Sequence, residues 1–86
     1  ASMFDYLFTF RSLTAAQRAR SVLNAGGIRA PIVRTAKRLS ANGCGYAIRV
    51  GARDGVRALH LLRGADAGYA HLYRVFESGS MEEVRV

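Results

Sequence analysis

From Phe4 to Phe10 the chain alternates: Phe4, Tyr6, Phe8 and Phe10 fall on one side of an extended backbone, and Asp5, Leu7 and Thr9 on the other. A period of two with aromatic enrichment predicts a β-strand. The period then lengthens. Leu13, Ala16, Ala19, Val22 and Leu23 recur at helical spacing, while Gln17, Arg18, Arg20, Ser21 and Asn24 take the opposite face. Thr14 and Gln17 have the spacing of a capping box. Gly26-Gly27 offers the left-handed residue that ends a helix. Ile28 to Arg34 reads as a second strand, and Pro31 within it argues for a sheet edge, because proline donates no ladder hydrogen bond.

A polar connection from Thr35 to Gly43 leads to a third strand, Gly45 to Val50, in which Tyr46, Ile48 and Val50 oppose Ala47 and Arg49. Gly51 to Asp54 is a turn with Asp54 as the expected cap. A second helix follows to about Arg63, with Val56, Leu59 and Leu62 inward, Arg57, His60 and Arg63 outward, and Gly64 as its stop. Tyr69 to Phe76 reads as the fourth strand, and Glu77 to Val86 as a polar, flexible tail. Ala1-Ser2 ahead of Met3 reads as a cloning remnant, leaving one domain over residues 3–76.

The order strand, helix, strand, strand, helix, strand is a pseudo-repeat of two right-handed crossover units. It predicts an α+β fold: a ferredoxin-like βαββαβ sandwich, with a four-stranded antiparallel sheet carrying both helices on one face. The other face then has no cover from these elements. Were the aromatic stripe of the first strand turned that way, it would be a platform needing a partner, as in RNA-recognition domains of this topology.

Composition narrows the function classes. Half of the 86 residues are hydrophobic, enough for one core in a chain near the lower size limit for independent folding. No apolar run approaches the roughly 20 residues that span a bilayer. A lone cysteine makes no internal disulfide, so a reducing cytoplasm is the expected compartment. The net charge of +7 suggests an anionic partner such as nucleic acid, but twelve of the thirteen cations are arginine and no block of like charge occurs. That pattern fits codon bias and solvated faces better than a dedicated polyanion site.

Metal and catalytic signatures are thin. His60 and His71 lie on different elements, with no Cys-x-x-Cys or His-x-x-x-His spacing, so no metal or cofactor is expected. No triad, phosphate loop or paired carboxylates emerge, although the fold is free to bring His71 towards Ser40 or Cys44. The distinctive residue is Cys44, the sole cysteine, set between Gly43 and Gly45 and near Arg34, Lys37, Arg38 and Arg49. Cationic surroundings favour the reactive thiolate, and flanking glycines let a partner approach. The other reading is a small apolar side chain, since free cysteine is often buried.

The stretch Leu39-Ser40-Ala41-Asn42-Gly43-Cys44-Gly45-Tyr46-Ala47-Ile48-Arg49 resembles the signature of the selenium/sulfur carrier-like family of small bacterial domains. The strand ending Thr9-Phe10, the Ala-rich helix followed by Gly27-Ile28-Arg29, and the run from Ala58 to Leu62 are also similar. One departure is Ala36-Lys37, where a Pro-Arg pair is expected. The resemblance spans Met3 to about Phe76. It implies a carrier that holds sulfur or selenium as a persulfide-type adduct on Cys44, with Gly43, Gly45, Ser40, Lys37, Arg38 and Arg49 around it, and that exchanges it with donor and acceptor proteins. Such a carrier has no turnover of its own. The alternative is a non-catalytic interaction module using the open sheet face for homodimerisation, or for binding protein or RNA.

Overall fold

The computed structural model describes residues 4–35 and 45–85. Its elements are β1 (Phe4–Phe10), α1 (Leu13–Ala25), β2 (Ile32–Arg34), β3 (Tyr46–Gly51), α2 (Ala52–Gly64), β4 (His71–Phe76) and β5 (Met81–Glu83). The fold is α+β, and the strands form one antiparallel sheet in the order β2-β3-β1-β4-β5. The sheet thus has five strands among the described residues rather than the expected four. The extra strand comes from the segment read as a flexible tail. Gly79, at φ +91°, turns the chain, and the Phe76 N–H then donates to the Ser80 carbonyl at 2.9 Å. Across the resulting hairpin Arg74 meets Glu82 at 2.6 Å, and the Val84 N–H donates to the Leu72 carbonyl at 2.7 Å. A short strand rich in glutamate is typical of a protected sheet edge, and its polarity is what hid it from periodicity. Hydrogen bonds to Tyr6 and then to Glu82 raise the Arg74 pKa above its ordinary value, so this edge contact holds a fixed positive charge.

The alternation in β1 sorts its residues as expected. Phe8 and Phe10 are fully buried together with Ile48, Val50 and Leu72, against Ala16, Ala19 and Leu23 of α1 and Ala58 and Leu62 of α2. Both helices therefore cover one sheet face, and the aromatic stripe is turned into the core. It offers no stacking platform on the open face. Register places Phe8 opposite Ile48 on one side and Leu72 on the other, so the three strands share one apolar row. Removing one such large side chain from water contributes about 1.5–3 kcal/mol.

Several local expectations are corrected. Ser12 caps α1, accepting from the Ala15 N–H at 3.1 Å, and Thr14 is already inside the helix. Gly51 rather than Asp54 precedes α2, and Asp54 lies in its first turn, where a carboxylate favours the helix dipole. The buried stripe of α2 is Gly55, Ala58 and Leu62, while Val56 is 59% exposed. Gly55 is what rotates the helix: its backbone lies against the Tyr6 ring so closely that an added Cβ would reach Tyr6 Cγ at 2.8 Å. β2 is shorter than Ile28 to Arg34, because the Ile28 N–H is taken by the Leu23 carbonyl (2.8 Å) and Pro31 has no N–H. With the Gly27 N–H on Asn24 and Gly27 at φ +86°, this is a Schellman ending. α2 closes in the same way, Ala67 to Leu62 and Asp66 to Arg63, with Asp66 left-handed at φ 53°. Gly64, the expected stop, is still helical. β4 starts at His71, since Tyr69 turns in to meet Phe8 edge-on at 5.3 Å.

Candidate functional site

Two ends of chain converge where β2 stops and β3 begins. Arg34 is paired with Tyr46 in the ladder, and the Thr35 N–H donates to the Gly45 carbonyl at 3.3 Å. The Arg34 guanidinium lies 5.5 Å from the centre of the Tyr46 ring, a cation–π contact that steadies the same junction. Of the site residues expected from sequence, Lys37, Arg38, Ser40, Gly43 and Cys44 lie outside the described residues. Gly45 and Arg49 lie inside them.

Gly45 is half-buried and has open space where a Cβ would stand, so neither crowding nor a left-handed backbone requires glycine here. Arg49 points to the open face of the sheet. Four steps along the strand separate it from Gly45, about 13 Å. Its Nε donates to Asp5 Oδ2 at 2.6 Å, with the two side chains 51% and 37% exposed. The pair crosses diagonally from β3 to β1, with Asp5 two residues from Leu7, the ladder partner of Arg49.

Between Thr35 and Arg49 the open face holds a shallow hollow of about 300 Å3, floored by Leu7 and Ala47 and walled by Val33, Val75 and Met81. Leu7, Ala47 and Tyr73 form a second, smaller apolar cluster there. A second hollow of about 490 Å3 adjoins it through Arg49 and Val75 and extends past Arg53 to the start of α2. An apolar trough with two arginines, Arg34 and Arg49, in its lining suits a partner's side chain or a soft anion. Among the described residues no group of three His, Cys, Asp or Glu side chains is placed to hold a metal ion.

The fold also brings a histidine to this end of the open face. Val33, Ala47, Thr9 and His71 occupy one row across β2, β3, β1 and β4. His71 is two strands from Ala47, about 10 Å. Its Nδ1 lies 3.0 Å from Glu83 Oε2, and Thr9 Oγ1 accepts from the His71 N–H at 3.1 Å. Glu83 is the residue that sequence reasoning missed, because nothing signalled β5. His60, by contrast, is exposed on α2, away from the open face.

No helix among the described residues is long and apolar enough to cross a membrane. Comparison with curated proteins and with solved structures gives no match. The family models do give one. The match, to the family described as "Putative Se/S carrier protein-like", runs over residues 5–74, from β1 into β4 and across the Cys44 stretch, and this chain belongs to that family.

Proposed function

We propose that this protein carries sulfur or selenium on Cys44 and passes it between a donor and an acceptor protein in the cytoplasm. One observation carries the reading: a family match over residues 5–74 encloses the chain's sole cysteine. The scaffold we assign is a ferredoxin-like sandwich over residues 3–76, extended by β5. The order β2-β3-β1-β4 with both helices on one face supports that assignment.

The chemistry asked of the chain is a single transfer. The Cys44 thiolate attacks the terminal sulfur of a donor persulfide, the donor S–S bond breaks, and the donor leaves as a thiolate. The new Cys44 persulfide holds the atom until an acceptor thiolate reverses the step, so no outside oxidant or reductant is consumed. A selenium atom in the terminal position follows the same path. Lys37 and Arg38 are assigned the stabilisation of the anionic sulfur, Ser40 a hydrogen bond to it, and Gly43 and Gly45 its accessibility. Arg49, held by Asp5 at the far end of the open-face hollow, is assigned to the incoming partner or its anionic group.

The test is intact mass after incubation with a cysteine desulfurase and cysteine. Wild type gains one sulfur atom, thiol reductant removes it, and Cys44→Ser gains none. An unmodified wild type, or an adduct that persists in Cys44→Ser, ends the proposal.

A further inference from the structure

The charge of this chain is divided unevenly along its length. Residues 6–53 contain no aspartate or glutamate, yet they hold nine of the thirteen cationic side chains. All six acidic residues are Asp5 or lie from Asp54 onward. The fold turns this asymmetry into a spatial one. α1, β2, β3 and most of the central strand β1 fall within the acid-free stretch, and β2 and β3 make up one end of the sheet. β5, with Glu82 and Glu83, forms the other end.

Four of the six carboxylates have a side-chain partner within the molecule. Glu82 is met by Arg74 at 2.6 Å and Glu83 by His71 at 3.0 Å. Asp5 has Arg49 at 2.6 Å, and Asp54 has Arg57 at 3.6 Å. Arg20 of α1 and Arg29 before β2 are exposed, and no carboxylate among the described residues comes within ion-pair distance of either. With Asn24 and Pro31 they line a hollow of about 500 Å3 beside the edge strand β2. Two guanidinium groups and an amide around one concavity match carboxylates, which arginine binds in a planar, two-pronged fashion.

We propose that this α1–β2 flank docks an acidic protein surface, that of the donor or acceptor. The inference rests on the carrier reading for the partner's role, though not for the surface itself. Position supports it: β2 runs from the Pro31 side of the hollow to Arg34, and the N–H of the next residue, Thr35, is tied to Gly45, the residue bonded to Cys44. A partner seated on Arg20 and Arg29 therefore meets the start of the edge strand whose other end is tied to Gly45. A nucleic acid fits less well, because single strands are held by stacking on exposed aromatic rings. Here Phe8 and Phe10 are in the core, and Tyr46 is half-buried beside the Arg34 guanidinium. Long-range attraction between a cationic flank and an acidic partner also speeds encounter and weakens with salt.

The experiment uses fluorescence anisotropy with two probes of matched formal charge, a labelled decaglutamate peptide and a labelled single-stranded RNA. Binding is measured at low and at physiological salt. Wild type binds the peptide, and salt weakens the complex. R20E/R29E weakens it about tenfold or more, while R63E/R85E, with the same change in net charge on exposed sites elsewhere, weakens it less than about threefold. Thermal melts of both variants confirm that each is folded. Equal losses in the two variants would reduce the effect to net charge and overturn the proposal. So would failure of wild type to bind the peptide, or tighter binding of the RNA that R20E/R29E abolishes. Cys44→Ser binds the peptide like wild type. If the sulfur adduct fails to form while the R20E/R29E effect stands, the carrier reading falls and the docking surface remains; the reverse pattern removes the surface alone.

Discussion

Gly55→Ala should destabilise this protein, against the ordinary expectation for a glycine inside a helix. On an open helix face that substitution gains about 1 kcal/mol. Here the new methyl would stand within the Tyr6 ring, 2.8 Å from Cγ and nearer still to one ring edge. The ring is not free to swing aside, since it packs edge-on against Phe4 at 5.3 Å and lies against the main core. Overpacking of this kind costs about 3 kcal/mol, at the upper end of its usual range. The net loss is then about 2 kcal/mol, or a fall in melting temperature of about 8–16 °C for a domain of this size. Gly26→Ala is the control. Its methyl would meet only the tip of Leu61, a flexible and half-buried side chain, and its backbone is ordinary at φ −88°. The second control combines Gly55→Ala with Tyr6→Leu, where the helix gain should return because the ring is absent. Urea and thermal denaturation read these three variants, wild type and Tyr6→Leu alone, which completes the cycle. A Gly55→Ala variant as stable as wild type, or no coupling to position 6, would refute the close approach of α2 to β1.

Three further outcomes follow from single contacts. Thr9→Val removes a fully buried hydroxyl that bridges the backbone N–H and carbonyl of His71 at 3.1 and 3.3 Å; it should cost about 1–3 kcal/mol in urea denaturation, with Thr9→Ser costing less. Asp66 occupies the left-handed closing position of α2, so Asp66→Gly should gain up to about 1 kcal/mol while Asp66→Ala loses stability. A drop on Asp66→Gly would contradict the assignment of that turn. Val84→Asp puts a charge where Val84 packs on the main core, and should release β5 locally: hydrogen exchange at the Val84 amide, now bonded to Leu72, should quicken well before that of β1. Uniform loss of protection across the sheet would instead make β5 part of the global unit.

Much of the sheet was legible because its central strands obey a strict period. β1 matches its predicted limits at Phe4 and Phe10, and the opposition of Tyr46, Ile48 and Val50 to Ala47 and Arg49 holds in β3. Helix ends were less legible. Capping depends on which N–H a side chain reaches, so Ser12 took the role expected of Thr14, and an aspartate rather than Gly64 took the left-handed turn after α2. The inward face of α2 was misplaced because small residues carry little hydrophobic signal. Gly55 and Ala58 are buried by proximity to the sheet, and Val56 is left outside. Of the candidate site, Gly45 and Arg49 could be followed into the structure, and the pairing of Arg49 with Asp5 had no local signature, their positions being 44 residues apart.

The amino-acid sequence by itself determined the order of the main elements, the aromatic stripe as a strand, and the sole cysteine between two glycines, since each depends on neighbouring residues and their period. Its match to a carrier family is likewise a property of the linear string. Only the tertiary structure decided that the stripe faces the helices, that a fifth strand brings Glu83 to His71, and that Arg20 of α1 and Arg29 before β2 share one hollow. Those outcomes depend on strand order and on contacts across long separations, where packing and loop closure outweigh local preference.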